Sequence, residues 1–335
     1  MSIRFAINGV GRIGRALIRV ASQRPELQLV AINDLANGRS LAALLAHDSL
    51  HGAFPGQVAA AEGGLLINDR QVAAYQEPAA ERIPWSENEP AIVVDATGQA
   101  KSREAAERHR RGSVRKVVVS ANADGMDLTL CMGINQNQYD PGKHHLLSAS
   151  SCTTNCLAPL TFVLQRQFGF ERGIFNTVHS YNNDQRLLSH PHSDPRRARE
   201  AALNMIPTTT SASHAIHQIL PDLKGRLDGF AIRVPTPNVS LIDLVAVLAA
   251  KPSIAAVNEA FAEAAADELQ GILAVTEAEL VSADFLGDPH SAIVDLPLTR
   301  IVDQHLFRVV AWYDNEWGHA NRLADLLELL GESLS

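Results

Sequence analysis

A chain of 335 residues can bury a large core and is long enough to form two domains. It has 46% hydrophobic and 20% charged residues, and no apolar run approaches the roughly 18 residues of a membrane-spanning helix, so we expect a soluble protein with no membrane partner. The net charge of −8 disfavours a nucleic acid partner, so that any bound phosphate must be met by local hydrogen-bond donors.

The N-terminal sequence and the cysteine count both indicate a cytoplasmic protein. The first residues run directly into glycines, without the apolar core and small-residue cleavage site of a signal peptide. Three cysteines do not make a disulfide framework, which fits a reducing compartment. We therefore expect the pair Cys152 and Cys156 to be reduced.

The chain begins with a predicted strand, a glycine turn and a helix. RFAIN (4–8) is short, apolar and β-prone, and ALIRVASQ (16–23) has helical spacing. LQLVAIND (27–34) then predicts a second strand. This order of elements is that of a βαβ unit with a parallel sheet.

Strands and helices continue to alternate up to about residue 150. Residues 101–112 are charged and predict a helix, and GGLLINDRQVAAYQ (63–76) predicts a two-stranded insertion around Asn68-Asp69. Continuous apolar runs, typical of parallel strands buried on both faces, occur at 91–98, 116–122 and 145–150.

After Cys152 the predicted strands follow one another mostly without helices, which indicates an antiparallel sheet. They are 175–181, 228–237, 239–250, 272–277, 291–300 and 305–314. Helices are predicted directly after Cys152, at 155–168, and further on at 254–269 and 317–333. The stretch 182–200 has no clear periodicity and contains four arginines and two prolines, so we expect a functional loop or an interface.

These patterns predict an α/β fold with two domains. Residues 1–150 are expected to form a doubly wound, Rossmann-type domain with a parallel sheet, onto which the C-terminal helix 317–335 packs. Residues 151–316 are expected to form an α+β catalytic domain with a mostly antiparallel sheet.

Gly9, Gly11 and Gly14 form a G-x-G-x-x-G turn between the first strand and the first helix. Such a turn lets backbone amides at a helix N-terminus face a pyrophosphate, although it can also serve only to pack a helix on a sheet. Asp34 follows 20 residues later at the end of the next strand, where a carboxylate binds a ribose diol. We predict a dinucleotide site, and NAD rather than NADP because Asp34 would repel a 2′-phosphate.

The segment SASSCTTNC (148–156) contains two cysteines, and their spacing leaves three interpretations. A metal site is unlikely by pattern, because C-x₃-C is not the usual zinc spacing and no second pair exists. Either cysteine could also be a small buried residue without chemistry. Cys152 stands between a buried strand and a helix, where the helix dipole is expected to lower the thiol pKa, so we predict a nucleophile. Cys156, one turn later, is expected to be packed and inert.

A thiol nucleophile needs a base that takes and returns its proton. His179, at the end of the strand FNTVHSY, is the candidate. By spacing alone it cannot be chosen over His190, His192 or His214.

Several motifs together resemble the phosphorylating glyceraldehyde-3-phosphate dehydrogenase family nearly end to end. They are INGVGRIGR, SCTTNCLAP, HSYNNDQRLL, DPRRAREAALNMIPTTT, AIRVPTPNVSLIDL and WYDNEWG. The resemblance implies that Cys152 attacks an aldehyde and His179 takes the thiol proton. A hydride then passes to NAD, and inorganic phosphate cleaves the resulting thioester to an acyl phosphate. It also implies a homotetramer, with loop 182–200 between subunits.

The resemblance further implies binding residues. For NAD these are the amides of Arg12 and Ile13 at the pyrophosphate, Thr97 and Ser120 beside the nicotinamide, and Asn315 at its carboxamide. For the substrate phosphate they are Arg233 and Asn182 with help from Arg197, and for the attacking phosphate they are Ser151, Thr153, Thr210 and Ser211. Without the family, Arg233 would be read as a solvent-facing or paired arginine, and no metal is expected.

Four positions depart from the family pattern. Asn182 replaces a threonine and Ser211 a glycine, Glu77 stands where an arginine often approaches the adenine, and His319 replaces a tyrosine. Erythrose-4-phosphate dehydrogenase, a sister group, therefore remains an alternative. A non-redox cysteine hydrolase or acyltransferase, and a silent binding paralogue, are further alternatives.

Overall fold

The computed structural model describes residues 2–334, which divide into two compact units. The first contains the residues up to Ser150 together with the C-terminal stretch from Ala320, and the second contains Ser151–His319. Met1 and Ser335, which the predicted ranges 1–150 and 317–335 include, lie outside the described residues. No helix within residues 2–334 has the length and apolar character needed to cross a bilayer.

The first unit alternates strands with helices. In chain order its elements are β1 (Ile3–Asn8), α1 (Arg12–Ala21), β2 (Leu27–Asn33), α2 (Gly38–Ala46), β3 (His47–Asp48), β4 (Gly52–Ala53), β5 (Val58–Ala61), β6 (Gly64–Ile67), β7 (Arg70–Tyr75), β8 (Ile92–Asp95), α3 (Arg103–Glu107), β9 (Lys116–Val119), β10 (Leu128–Thr129) and β11 (Leu146–Ser148).

The sheet of the first unit is doubly wound, as predicted. Its strand order is β10-β11-β9-β8-β1-β2-β7-β6-β5, and all neighbours from β10 to β7 are parallel. The chain moves outwards from β1 in both directions, so the carboxyl ends of β1, β2 and β8 meet where the strand order reverses. Ligands of open parallel sheets bind at this point.

Burial on both faces explains the continuous apolar runs of these strands. Ile92, Val93 and Val94 of β8 have no exposed surface, and the same is true of Val117 and Val118 of β9. When both faces of a strand are covered, successive side chains are all buried, so apolar and polar residues do not alternate along it. This confirms the interpretation of the runs as central parallel strands.

The predicted insertion is a hairpin of β6 and β7 that turns at Asn68-Asp69. Both turn residues have positive φ, 46° and 62°, as a type I′ turn requires. β5 pairs with β6, so the insertion has three strands rather than two.

The helix predicted at 101–112 is shorter in the structure. α3 starts after Ser102, its N-cap, and ends at Glu107, after which His109 N donates to Ala106 O at 3.1 Å in a turn. This turn buries the His109 side chain completely. The tertiary contact of His109 therefore ends the helix earlier than the charge pattern suggests.

The second unit begins with a long helix and continues mainly with strands. Its elements are α4 (Cys152–Phe168), β12 (Phe170–Ser180), β13 (Ile206–Thr208), α5 (Ala212–Ile219), β14 (Leu227–Val234), β15 (Ser240–Leu248), α6 (Ile254–Ala266), β16 (Leu273–Thr276), β17 (Ala292–Asp295), β18 (Arg300–Val302) and β19 (Leu306–Tyr313). The last helix, α7 (Trp317–Glu332), closes the chain.

The sheet of the second unit is mostly antiparallel, as predicted. Its order is β13-β14-β12-β15-β19-β17-β16, with β18 on β19, and only the pairs β12–β14 and β16–β17 are parallel. α4 and α5 pack against this sheet. Ile174 and Phe230 remain exposed on its strands.

One helix of the second unit was not predicted. Residues 212–219 form α5, whose buried residues are Ala212, Ala215, Ile216 and Ile219. Their spacing of three and four is helical. The helical spacing of apolar residues was therefore present in the sequence. It was missed because α5 is only eight residues long and lies among strands.

Candidate active site

A cavity of about 610 Å³ opens at the carboxyl ends of β1, β2 and β8 in the first unit. Its lining includes Gly9, Gly11, Asp34, Asp95 and Thr97. Four of these residues were predicted to bind a cofactor, and Asp95 was not. The cavity lies at the point of the sheet where a doubly wound fold binds its ligand.

Each glycine of the G-x-G-x-x-G turn meets a different steric demand. Gly9 has φ +94°, and a Cβ there would lie 2.7 Å from Thr97 N. A Cβ at Gly14 would lie 2.2 Å from Gly9 O, so Gly14 lets α1 pack closely on the turn. A Cβ at Gly11 would meet nothing within 4 Å, which means that Gly11 borders open space.

α1 directs its N-terminus at this turn. Its N-cap is Gly11, which has no side chain to cap the helix, and the helical bonds begin with Arg15 N donating to Gly11 O at 2.9 Å. The amides of Arg12 and Ile13 precede that bond at the positive end of the helix dipole. The backbone N–H groups of these two residues can therefore bind an anionic pyrophosphate, and no basic side chain is needed for this contact.

Asp34 braces the glycine turn from the end of β2. Its Oδ2 accepts from Val10 N at 2.8 Å, and its Oδ1 accepts from Ala36 N at 2.9 Å. Each carboxylate oxygen has a further lone pair, so the group is held in place and can still accept from ribose hydroxyls. The cavity, the bare turn and this carboxylate together fit the adenosine and pyrophosphate of a dinucleotide.

A buried polar network that the sequence analysis missed lies beneath the cavity. The Asp95 carboxylate accepts from Thr97 Oγ1 at 2.6 Å and from Asn8 Nδ2 at 2.9 Å, and lies 3.1 Å from His109 Nε2. Trp85 Nε1 donates to the other His109 nitrogen at 3.2 Å, which assigns the proton to Nε2. Although burial opposes it, the hydrogen bonds from His109 and Thr97 hold the pKa of Asp95 below its usual value.

Two further predicted positions border the same region. Ser120 N donates to Asp95 O at 2.9 Å, which places Ser120 next to the network. Glu77, one of the departures from the family pattern, lines the cavity, and its Oε1 accepts from Ala79 N at 3.0 Å and lies 3.3 Å from Arg82 Nε. Its carboxylate is therefore engaged with its own loop.

The thiol of the second unit stands at the start of α4, as predicted. Ser151 is the N-cap, and its Oγ accepts from Thr154 N at 3.2 Å. Just before it, Ser150 has φ +62°, a conformation that costs free energy in any residue with a side chain. A tight turn thus leads the chain directly into the helix that begins at Cys152.

The structure brings Cys152 and His179 together. Cys152 Sγ lies 3.6 Å from His179 Nε2, within hydrogen-bonding reach for sulfur, and His179 is buried. His179 Nδ1 lies 2.7 Å from Ser180 O, and the Tyr313 ring meets the imidazole edge-on at 6.0 Å between centroids. This geometry selects His179 from the histidines that spacing alone could not separate.

Arg233 adjoins the imidazole because β12 and β14 pair in parallel with His179 opposite Arg233. Its Nη1 makes a short contact with His179 Nδ1 and lies 3.2 Å from Ser180 O. Its Nε is buried without a hydrogen-bond partner. Burial lowers the pKa of Arg233, the nearby Cys152 opposes this, and Arg197 lowers it further.

The expectation that the Cys152 thiol has a lowered pKa is wrong. Burial raises the pKa of Cys152, and the positive charge of Arg233 and the hydrogen bonds of Thr153 only partly offset it. The helix N-terminus is present, but desolvation of the thiolate outweighs it. The reactivity of the sulfur therefore depends on the adjacent base.

The other two cysteines, Cys131 and Cys156, are buried and are not part of a disulfide. Burial raises the pKa of Cys131 to about 12, and Cys156 has no exposed surface. Within residues 2–334 no group of three or more possible ligands could hold a metal ion.

The residues predicted for phosphate binding occupy two neighbourhoods. Thr153 lies with Cys152, and its Oγ1 is 3.1 Å from the Tyr313 hydroxyl. Arg197 lies in loop 182–200, with its Nη1 2.6 Å from Asp184 Oδ2 in the same loop and its Nε 2.7 Å from Thr208 Oγ1 in β13. The positive charge of Arg197 contributes to lowering the pKa of Arg233.

Three other predicted residues have local structural roles. Asn182 Oδ1 accepts from Asp184 N at 3.0 Å, which closes a turn at the start of the loop. Thr210 Oγ1 accepts from Ala212 N at 3.2 Å at the start of α5, and Ser211 is the exposed N-cap of that helix.

Asn315 lies deep in the second unit. Its Oδ1 accepts from Ser180 Oγ at 2.9 Å and from Ser240 Oγ at 2.8 Å. The amide is therefore oriented, with only its Nδ2 end suited to donate to a carboxamide oxygen. His319, the last departure, is buried at the start of α7.

Sequence reasoning missed Ser180 and Tyr313 as parts of this site. Tyr313 has its hydroxyl 2.8 Å from Thr177 Oγ1, and burial raises its pKa, so it stays neutral. It belongs to the motif WYDNEWG, which was noticed only for Asn315. Ser180 directly follows His179 and acts through its backbone carbonyl, which no side-chain pattern reports.

A dinucleotide cavity in one unit and a half-buried thiol paired with a buried imidazole in the other define a dinucleotide-dependent oxidoreductase that acts through a cysteine. Comparison with known proteins agrees. Residues 3–103 match the domain described as "Glyceraldehyde 3-phosphate dehydrogenase, NAD binding domain", and residues 151–315 match the C-terminal domain of the same family. The chain belongs to the glyceraldehyde 3-phosphate dehydrogenase family.

Full-length relatives support this assignment. The chain is 47% identical over 326 residues to the glyceraldehyde-3-phosphate dehydrogenase of Geobacillus stearothermophilus, which covers 97% of both chains. It is 46% identical to glyceraldehyde-3-phosphate dehydrogenase 1 of Bacillus cereus, over 96% of this chain and 97% of the relative. The similarity therefore includes both units.

Alanine at Gly14 and at Gly11 should have separable effects. Gly14→Ala should lower the free energy of unfolding by about 1–3 kcal/mol, because its methyl group would overlap Gly9 O. Gly11→Ala should leave stability nearly unchanged but weaken NAD binding about tenfold or more, because the methyl group would occupy the cavity. Thermal unfolding and NAD titration measure the two effects, and unchanged NAD affinity in Gly11→Ala would contradict this placement.

Alkylation of Cys152 by iodoacetamide in the cofactor-free protein should rise with pH around a midpoint above the ordinary thiol value of about 8.5. The reason is that burial raises the pKa of this thiol and the thiolate is the reacting form. Mass spectrometry of the labelled peptide gives the rate at each pH. Cys131 is the internal control and should stay unlabelled in the folded protein, and a Cys152 midpoint below 7 would contradict the burial argument.

Proposed function

We propose that the protein catalyses the NAD-dependent, phosphorylating oxidation of glyceraldehyde 3-phosphate to 1,3-bisphosphoglycerate, through a thioester on Cys152. The contact of 3.6 Å between Cys152 Sγ and His179 Nε2 carries this proposal. It is supported by family membership and by relatives that bear the name of this enzyme over nearly their whole length. The reaction belongs to glycolysis.

His179 acts first as a base. Its Nε2 takes the Cys152 proton as the sulfur attacks the aldehyde carbon, which produces a hemithioacetal on Cys152. The resulting imidazolium donates to the substrate oxygen and later takes back the hydroxyl proton. When bound, NAD supplies the acceptor for the hydride that leaves this carbon, and a thioester remains on Cys152.

Inorganic phosphate then attacks the thioester carbon, and the tetrahedral state collapses with departure of the Cys152 sulfur. The product is the acyl phosphate, and the sulfur regains a proton from His179. Because the pocket is buried and Tyr313 stays neutral, the imidazolium is the closest mobile proton donor to this sulfur.

The first unit is proposed to hold NAD. Gly9 and Gly11 would admit the pyrophosphate to the amides of Arg12 and Ile13, and Asp34 would bind the adenine ribose. Thr97, Ser120 and Asn315 are proposed to border the nicotinamide end. We propose the second unit, from Ser151, as the catalytic domain.

Arg233 is the best supported ligand of the substrate phosphate, because its buried Nε needs an acceptor. Asn182 and Arg197 are proposed to assist it. For the attacking phosphate we propose Ser151, Thr153, Thr210 and Ser211. The three-carbon aldehyde is preferred over erythrose 4-phosphate because the relatives compared above carry the three-carbon name.

We also propose a homotetramer in the cytoplasm. Large apolar side chains are highly exposed in and beside loop 182–200, which is unusual for a surface that faces only water. They are Leu187, Leu188, Leu203 and Met205, each at least 70% exposed. A free catalytic thiol also suits a reducing compartment.

Turnover should require both phosphate and the thiol. With NAD and glyceraldehyde 3-phosphate but no phosphate, we expect a burst of NADH close to one per subunit and then arrest at the thioester. Cys152→Ser should form no NADH, and His179→Gln should lower kcat about 10²–10⁴-fold. Absorbance of NADH measures all three, and sustained turnover without phosphate would contradict the acyl-phosphate step.

An aspartate at Leu203 should weaken subunit assembly, because a charge would replace an apolar contact between copies. We expect Leu203→Asp to shift the mass in light scattering from a tetramer towards smaller species. Val281→Asp is the matched control, since Val281 is also well exposed, at 63%, but lies outside the loop region. A monomeric unmodified protein at micromolar concentration would contradict the proposal.

A further inference from the structure

One basic side chain reaches the dinucleotide cavity of the first unit. Of the described residues that line this cavity, Arg108 is the only arginine or lysine. It is the C-cap of α3 and directly precedes the buried His109. The same lining contains four acidic residues, which are Asp34, Glu77, Glu81 and Asp95. The permanent positive charge of Arg108 therefore stands in an otherwise acidic cavity.

The ion pair that Arg108 makes is weak. Its Nη1 lies 3.9 Å from Glu81 Oε2, and both side chains are exposed. An exposed pair at this distance contributes little to stability, because water screens the charges and two flexible side chains must be ordered. The guanidinium can therefore leave Glu81 with little loss of free energy when a ligand enters.

Another arginine already supplies the structural link at this place. Arg111 Nη1 donates to Ala80 O at 2.9 Å, and Arg111 Nη2 makes a short contact with Ile83 O. These bonds fasten the segment 80–83 to the turn that follows α3. The pair of Arg108 joins the same two stretches at the rim of the cavity, so the fold does not depend on it.

The position of Arg108 corresponds to the base of a bound dinucleotide. The glycine turn fits the pyrophosphate and Asp34 fits the ribose, so the base continues from Asp34 away from the turn. Glu77 lies on that side, because its N–H donates to Asn33 Oδ1 at 2.9 Å, directly before Asp34. The wall that begins at Glu77 leads to Glu81 and so to the guanidinium of Arg108.

We propose that Arg108 binds the adenine of NAD by placing its guanidinium against the face of the base. A guanidinium is planar and weakly hydrated, and it stacks on aromatic rings and on nucleic acid bases. Its charge also offsets the carboxylates that surround the adenosine. This rests on the proposed function, since it takes NAD as the cofactor of the first unit.

The consequence is that Arg108 contributes to affinity for the adenine half of the cofactor and not to the reaction. It lies in the wall of the adenosine cavity and touches no reacting atom. Arg108→Met should therefore raise KM for NAD and leave kcat at saturating NAD nearly unchanged.

Calorimetric titration of the full-length protein with ADP-ribose tests this contact without turnover. ADP-ribose carries the adenine, its ribose and the pyrophosphate, and it lacks the nicotinamide. We expect Arg108→Met to weaken its binding about five- to tenfold. Arg108→Lys should recover little of this affinity, because an ammonium keeps the charge without the plane. Full affinity in Arg108→Lys would overturn the stacking contact.

Arg110→Met is the matched control. Arg110 is exposed two residues further on, its Nε lies 2.9 Å from Glu107 Oε1, and it is outside the cavity lining. Its replacement should leave ADP-ribose affinity unchanged. An equal loss of affinity in both variants would show a general effect of surface charge and overturn the proposal.

Modification of arginines by phenylglyoxal gives a second readout on the unmodified protein. Saturating ADP-ribose should protect Arg108, whereas inorganic pyrophosphate, which has no base, should not. Arg110 should react equally in all samples, and mass spectrometry of the peptides measures both sites. Equal modification of Arg108 with and without ADP-ribose would overturn the proposal.

Failure of this inference is distinguishable from failure of the proposed function. Unchanged ADP-ribose affinity in Arg108→Met, together with NAD-dependent formation of NADH, would reject the role of Arg108 and leave the proposed function standing. Absence of ADP-ribose binding and of NADH formation in the unmodified protein would overturn both.

Discussion

The contact between the Cys152 thiol and the His179 imidazole is the interaction on which the second unit depends. It requires α4 to begin at the thiol and β12 to end at the imidazole. Ser180 holds one side of the ring through its backbone carbonyl, and Tyr313 meets its edge. These are rigid elements, so the two reacting groups are placed before any substrate arrives.

Burial makes this contact both necessary and costly. Desolvation raises the pKa of Cys152 above that of an ordinary thiol. Its activation then depends on the adjacent base, His179.

The constraint on the first unit is different, because its glycine turn must let backbone N–H groups come close to an anion. Packing demands small residues at Gly9 and Gly14, whereas only Gly11 borders open space. Beneath the turn, Asp95 and His109 are buried and fully engaged by hydrogen bonds. A buried carboxylate left without these partners would destabilise the floor of the cavity.

Local pattern determined the glycine turn, Asp34, the start of α4 at Cys152 and the two classes of sheet, because hydrophobic period and turn chemistry act over a few residues. The family resemblance had named Arg233, but its place beside the imidazole depends on the pairing of two strands more than 50 residues apart. The same holds for the burial that raises the thiol pKa and for the early end of α3. Such contacts join residues that are remote in the chain, so only the tertiary structure decides them.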